Sequence, residues 1–290
     1  MNESSTRRYG PDAPVRQIRL KTDDGCVLAL RVLREAQSSS AAPVLFVHAL
    51  AMDGDMWHAV AAALATTMPE FRGAMLAMDC RGHGDSETSE PPFTTDRFSL
   101  DIAQVLDALE TEGAHLVGCS MGGTVALAFA GRFPTRLASL TVIDATAWYG
   151  EEARGNWEKR AKTALSEGMR SLVEFQHARW FSPSFLAEQQ VLVSQAVAVF
   201  TANRVPAYAA SCRMLGEADQ RIALQAYTGP AAVIVGEHDY ATPLSMAAEI
   251  AARLVGSTLT VIPDARHYTP LEAPELVADH IAAAIRRGAV

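Results

Sequence analysis

Short apolar runs recur along this chain, each bounded by Gly, Pro or Asp, and most are separated by stretches with helical spacing of apolar residues. The runs are VLFVH (44–48), GAMLAMD (73–79), AHLVG (114–118), LASLTVID (137–144), AAVIVG (231–236) and TLTVIP (258–263). Between and after them lie MWHAVAAALATT, FSLDIAQVLDALETEG, MGGTVALAFAGRF, SMAAEIAARLV and PELVADHIAAAIRR. Strands that are apolar on both faces and alternate with amphipathic helices predict an α/β fold, with a mostly parallel sheet flanked by helices. Upstream, VRQIRLK and CVLALRVLR surround the turn TDDG and predict an opening β-hairpin. In a sheet of this kind the chemistry gathers at the carboxyl ends of the strands.

The alternation fails once. Between Asp144 and Gly229 no strand is evident, while NWEKRAKTALSEGMRSLVEFQHARWF, FLAEQQVLVSQAVAVF and VPAYAASCRMLG have helical character. This segment is expected to form an inserted helical cap above the strand ends. The division predicted is therefore a core of residues 1–144 and 230–290 with a cap of residues 145–229.

The whole chain has 290 residues and a formal net charge of -8. That balance argues against a nucleic-acid or anionic-membrane partner. The start, MNESSTRRYGPDAPVRQIRL, carries two arginines but no apolar targeting core, and no apolar run is long enough to span a bilayer, so a cytoplasmic location is expected. Cys26, Cys80, Cys119 and Cys212 are scattered without metal-ligand spacing and predict reduced, packed thiols rather than a metal site. Neither a cofactor nor a metal is expected, and oligomeric state is left open.

GCSMG (118–122) falls where a strand gives way to a helix. Glycines two residues before and two after Ser120 permit the sharp turn of a G-x-S-x-G nucleophile elbow, which lifts a serine to the end of the sheet. Cys119 then faces the other way. A serine needs a base, and the base an orienting acid. Of the eight histidines, His267 in TVIPDARHYTP follows the last strand and is the expected base. His58, His177 and His280 lie in helical stretches and His115 begins a strand at the far edge, so these read as surface or packing residues. Asp239 in VGEHDYATP is the expected acid, giving the order Ser, Asp, His. Asp144, which closes the strand after the serine, is its rival, and Glu237 comes third. Oxyanion stabilisation is expected from the backbone amides of Met121 and of Leu50, the latter in HALAMDGDMW. DCRGHGDS (79–86) could offer Asp79, His83 and Asp85 to a metal, but a Gly-rich turn bonding to its own backbone is the preferred reading.

Taken together, VHAL, DCRGHGDS, GCSMGG, GEHDYATP and ARHYTPLEAPE, in this order, resemble the α/β-hydrolase superfamily over nearly the whole chain. HALAMDGDMW, GCSMGG and the segment from Asn156 to Phe181 are similar to 3-oxoadipate enol-lactonases, with Ala49 where an HG oxyanion loop has glycine. The resemblance implies a small ester or lactone as substrate. Ser120 would attack its carbonyl, His267 would take the proton, and a water activated by His267 would release the acyl-enzyme. A serine nucleophile sets the chain apart from the epoxide hydrolases and haloalkane dehalogenases of the superfamily, which use aspartate. An anionic lactone would need a cation in the cap. Arg179 is the candidate, with Trp180 as an apolar wall and Trp148 at the cap entrance, and Arg154, Arg160 and Lys162 are alternatives. A carbon-carbon bond hydrolase of ring-cleavage products, a broad carboxylesterase, a small-molecule receptor and a cofactor-free oxygenase are the competing readings.

Overall fold

The computed structural model describes residues 2–6 and 14–288. Residues 1, 7–13, 289 and 290, which the sequence reading assigns to the core, lie outside the described residues. The strands are β1 (Asn2–Thr6), β2 (Pro14–Lys21), β3 (Val27–Arg34), β4 (Val44–Val47), β5 (Met75–Met78), β6 (Ala114–Cys119), β7 (Leu137–Ile143), β8 (Ala231–Gly236) and β9 (Thr258–Ile262). The helices are α1 (His58–Thr67), α2 (Thr95–Ala108), α3 (Met121–Arg132), α4 (Ala153–Glu167), α5 (Val173–Trp180), α6 (Pro183–Glu188), α7 (Gln190–Thr201), α8 (Val205–Glu217), α9 (Leu244–Arg253), α10 (Thr269–Glu272) and α11 (Pro274–Gly288).

One nine-stranded sheet runs in the order β1-β2-β3-β5-β4-β6-β7-β8-β9. The hairpin around TDDG pairs β2 with β3 in antiparallel register, Leu20 opposite Leu28, and β3 meets β5 antiparallel. From β5 to β9 every pair is parallel. β5 and β6 lie on opposite sides of β4, so the chain leaves β4 in one direction and β6 in the other. Because β-crossover-β connections are right-handed, this reversal puts α1 on one face of the sheet and α2, α3 and α9 on the other. Contacts of α1 with α11, and of α2 with α3, agree with that division. A crevice opens where such connections diverge, at the carboxyl ends of β4 and β6. Leu50 and Ser120 follow those two strands.

The central strands β4, β5, β6 and β8 are buried throughout. Phe46 on β4 stacks on Trp57 with ring centroids 5.0 Å apart, which ties the middle of the sheet to the start of α1. Between β7 and β8 the chain builds α4 to α8, in which α4 packs along α8. The long helical stretch expected from 156 to 181 is broken at Gly168, whose φ of 80° ends α4 in a backbone region that favours glycine. No helix among the described residues is long and apolar enough to cross a membrane. All four cysteines are free and buried.

Close approach rather than loop freedom explains the glycines around Ser120. A Cβ at Gly118 would stand 2.3 Å from the Gly122 carbonyl oxygen, and one at Gly122 only 2.2 Å from the Val47 oxygen. Both obstacles are backbone, so neither can swing aside. Gly155, in contrast, lies in exposed α4 with nothing within 4 Å of its ideal Cβ. Gly122→Ala is expected to destabilise the fold by about 3 kcal/mol through overpacking. Gly155→Ala is expected to stabilise it by about 0.5–1 kcal/mol through helix propensity and chain entropy. Chemical denaturation of the two variants checks the pair, and a Gly122→Ala protein as stable as wild type would contradict the packing described here.

Candidate active site

Ser120 sits between β6 and α3 with φ 52° and ψ −115°. A non-glycine residue at positive φ costs free energy, and here the turn is held on three sides. The Ser120 amide donates to the Ile143 carbonyl at 2.9 Å, the Gly122 amide to the His48 carbonyl at 3.1 Å, and the Thr124 amide to the Ser120 carbonyl at 2.9 Å. His267 follows β9 and Asp239 follows β8. His267 Nε2 lies 2.8 Å from Ser120 Oγ, and His267 Nδ1 lies 2.8 Å from Asp239 Oδ2. A carboxylate at Nδ1 fixes the proton there, which leaves the Nε2 lone pair to accept from the serine hydroxyl. All three side chains are buried.

The two rival carboxylates are separated by their partners. Asp239 Oδ1 accepts from the amides of Ala241 (2.7 Å) and Thr242 (3.0 Å), and its Oδ2 accepts from Thr242 Oγ1 (2.7 Å) besides facing His267. Burial opposes its charge, but the imidazole and these donors outweigh burial and hold its pKa below the usual carboxylate value. Asp144 makes no hydrogen bond to His267 in the structure. Its Oδ1 accepts from the Gly236 amide (2.9 Å) and its Oδ2 from the amide (3.0 Å) and hydroxyl (2.8 Å) of Thr269. It thus fastens β7 to the ends of β8 and of the loop that carries His267. Burial, and then the charge of Asp239, push its pKa well up.

Of the two amides expected to meet an oxyanion, that of Met121 begins α3, where the helix leaves its first N–H groups without intrahelical acceptors. The Leu50 amide is aimed by its neighbours. The Ala49 carbonyl accepts from the Met52 amide at 3.0 Å and faces His48 Nδ1 at 2.8 Å, while His48 Nε2 accepts from the Cys80 amide at 2.9 Å. His48 is therefore the neutral Nδ1–H tautomer, and burial keeps its pKa low. In a trans peptide the N–H points opposite to the C=O, so anchoring the Ala49 oxygen turns the Leu50 N–H away from His48.

DCRGHGDS braces this loop. Asp79 accepts from the Gly54 amide (2.7 Å), from the Asp85 amide (2.8 Å) and from Arg31 through Nε (3.2 Å) and Nη2 (2.9 Å). Arg31 is wholly buried, and it also lies within ion-pair distance of Asp53, Asp55 and Asp85. Burial opposes its charge, yet the carboxylates raise its pKa overall. Asp79 and Asp85 therefore engage an arginine, and the His83 ring lies tilted beside His48 with centroids 5.1 Å apart and its Nδ1 facing the Arg81 carbonyl. The turn bonds partly to itself, through the Asp85 amide on Asp79 and the Ser86 hydroxyl on the Asp79 carbonyl, while the Asp79 and Asp85 carboxylates also reach out of it to Arg31. Of the remaining histidines read from the sequence, His58 meets Asp55, His115 meets Ser139 and His280 faces Thr260, while His177 lies on α5.

A cavity of about 170 Å³ opens above Ser120 and His267, closed on the far side by α4 and α5. Leu50, Arg179 and Trp180 line it, as expected, and so do Tyr149, Trp157 and Arg160. Trp180 is buried and stacks on Tyr268 with centroids 5.4 Å apart. Trp148 does not line the cavity, contrary to expectation. Its ring lies under the Arg221 guanidinium at 3.7 Å and its backbone bridges to Asp219, because the chain turns away after Ala147 to start the helical segment. Two of the alternative cations are also elsewhere, Arg154 paired with Glu217 and Lys162 with Glu158.

Arg160, the third of the alternative cations, lines the cavity together with Arg179. Its Nε donates to the Tyr208 hydroxyl, its guanidinium lies 5.0 Å from the Trp157 ring centre, and the Gln176 amide oxygen can accept from it. Among the described residues no carboxylate pairs with Arg160 or Arg179, and no acidic side chain lines the cavity. Burial, and then the neighbouring charge of Arg160, lower the pKa of Arg179. A readable signal existed in the sequence: Ala153, Asn156, Trp157 and Arg160 are spaced i, i+3, i+4, i+7 and share one face of α4. All four line the cavity.

The family model for the alpha/beta hydrolase fold matches residues 42–274. The chain is 31% identical over 236 residues to 3-oxoadipate enol-lactonase 1 of Acinetobacter baylyi, covering 81% of this chain and 85% of that one. Among solved structures, the enol-lactonase from Burkholderia xenovorans superposes with a TM-score of 0.85 at 26% identity, over 93% of this chain and 100% of that chain. A thermophilic esterase from Thermogutta terrifontis in a malate-bound state gives 0.83 at 26% identity, over 94% and 99%. The chain therefore belongs to the α/β-hydrolase family, as a hydrolase of the ester and lactone type that resembles the 3-oxoadipate enol-lactonases.

Proposed function

We propose that the protein is a serine hydrolase that opens a small, carboxylate-bearing lactone or ester, with 3-oxoadipate enol-lactone as the reference substrate. The observation that carries this reading is the Ser120–His267–Asp239 chain opening into a small cavity that holds Arg160 and Arg179 and no acid. In the reaction, Ser120 Oγ attacks the carbonyl carbon as its proton passes to His267 Nε2. The imidazolium is stabilised by Asp239, and the amides of Leu50 and Met121 receive the developing oxyanion. Collapse expels the ring oxygen, which takes the proton from His267, and leaves an acyl-enzyme. Water deprotonated by His267 then attacks the acyl carbon and Ser120 departs as the hydroxyl.

Residues 145–229 act in this reading as a cap over the strand ends, with α4 and α5 supplying the anion-binding wall. A guanidinium enclosed without a counter-ion is unfavourable unless something negative pairs with it. The carboxylate of the substrate would meet Arg160, with Arg179 beside it. The malate-bound state of the Thermogutta esterase is in keeping with a small carboxylate ligand in a protein of this shape.

Hydrolysis of 3-oxoadipate enol-lactone, followed by its ultraviolet absorbance, tests the proposal with wild type, Ser120→Ala and Arg160→Gln side by side. Ser120→Ala is expected to lower kcat by roughly four orders of magnitude with the fold intact. Arg160→Gln is expected to weaken kcat/KM for the anionic lactone by about 10–100-fold, as loss of a charge-assisted bond does. Near-normal turnover by folded Ser120→Ala would rule out the mechanism. The two carboxylates separate in a second assay. Asp239→Asn is expected to cost about 10³–10⁴ in kcat, whereas Asp144→Asn mainly costs about 1–3 kcal/mol of stability by mismatching its donors. The opposite ranking would transfer the acid role to Asp144.

A further inference from the structure

A second cavity, of about 500 Å³, lies against the outer side of the same wall. Asn156, Trp157, Arg160 and Arg179 border both cavities. The outer one adds Lys159 and Thr163 from α4, and Leu172 and Phe175 from the start of the α5 region. Among the described residues it thus presents Lys159, Arg160 and Arg179 and no acidic side chain, on a chain whose net charge is -8. The acids of this part of α4 are turned elsewhere. Glu158 is taken by Arg213 at 2.7 Å and by Lys162 at 3.9 Å, while Lys159 makes no ion pair among the described residues.

We propose that the outer cavity is an anion-binding entry station, in which Lys159 and Arg179 hold a small organic carboxylate before it passes to Arg160 and the Ser120 cavity. The proposal rests on the anionic-substrate reading above and deepens it by giving the route and a separate site. The cations are graded from the outside inward. Lys159 is exposed and its ammonium is free to meet a hydrated ion. Arg179 is partly buried, and it is held across the wall by its bond to the Tyr240 carbonyl (2.9 Å) and by the Phe175 ring at 4.8 Å. Arg160 stands on the inner side, where the cavity closes over Ser120. Phe175 borders the outer cavity with 57% of its surface exposed, and its ring forms a low-dielectric edge beside the Arg179 guanidinium. Such edges focus a positive potential and raise the local concentration of anions.

The test uses adipate as a non-reacting dianion, titrated by tryptophan fluorescence, with Trp157 in the shared wall as reporter. Lys159→Glu is compared with Lys162→Glu, which changes net charge equally but sits outside both cavities, and with Lys159→Arg. Lys159→Glu is expected to weaken adipate binding about tenfold at low salt. The difference should shrink at high salt, Lys159→Arg should bind as wild type does, and Lys162→Glu should have little effect. For turnover, the loss should appear in kcat/KM for the anionic lactone, not in kcat and not with the neutral ester 4-nitrophenyl acetate. Equal behaviour of Lys159→Glu and Lys162→Glu would overturn the entry station, even with lactone turnover intact. Lys159-dependent adipate binding in a protein that hydrolyses neither lactone nor ester would keep the station and remove the hydrolase mechanism instead.

Discussion

The close contact between the turn at Ser120 and the end of β4 is the constraint on which the site depends. The backbone at Ser120 is held at φ 52°, a conformation that costs about 1–3 kcal/mol for a residue with a side chain. That cost is offset because Gly122 can press against Val47 and donate its amide to the His48 carbonyl. One contact therefore joins the loop after β6, which carries the proposed nucleophile, to the loop after β4, which carries the Leu50 amide. Neither loop can move without the other, so the hydroxyl and the oxyanion donors keep their spacing. The reversal of chain direction between β4 and β6 is what leaves room for a substrate beside them.

Buried charge is distributed so that each carboxylate has one task. Asp79, Asp53, Asp55 and Asp85 gather around Arg31, and this cluster anchors the Leu50 loop through the Gly54 amide. A buried ion group of this kind adds little net stability, but removing one member leaves uncompensated charge. Asp239 spends its acceptors on His267 and on the amides that fix its own loop. Asp144 spends its acceptors on the Gly236 and Thr269 donors, so it sets the relative position of the loops bearing Asp239 and His267 without touching the imidazole. Arg160 on α4 and Arg179 on α5 break the pattern. Among the described residues no carboxylate pairs with them at the cavities, which is the arrangement expected where the counter-ion is a ligand.

Much of this was legible in the sequence because the signals are local. Strand-length apolar runs ending in Gly or Asp marked the parallel strands, and the Gly-Cys-Ser-Met-Gly turn marked the strand-to-helix junction. Asp239 and His267 followed from lying just past strand ends. Offsets arose where a cap decided the boundary. The helix read from Phe98 begins at Thr95, because Thr94 accepts the Arg97 amide as N-cap. The N-terminal strand β1 carries too weak an apolar pattern to be read, since it pairs at the sheet edge. The helical segment between β7 and β8 was least legible. Its helices are amphipathic by composition, but which cation faces Ser120 depends on how α4 and α5 lie over the sheet. Arg179 and Trp180, read as a cation beside an aromatic on a helix, line the cavity and Trp148 does not, while placing Arg160 there needed the α4 face to be followed for two turns.

The central claim is that Ser120 is activated by His267. Its most direct test is covalent labelling with a fluorophosphonate followed by mass mapping of the modified peptide. The account predicts a single adduct on Ser120 in the folded wild type, and its loss in folded His267→Ala. Labelling of another residue, or equal labelling of Ser120 when His267 is absent, would contradict it.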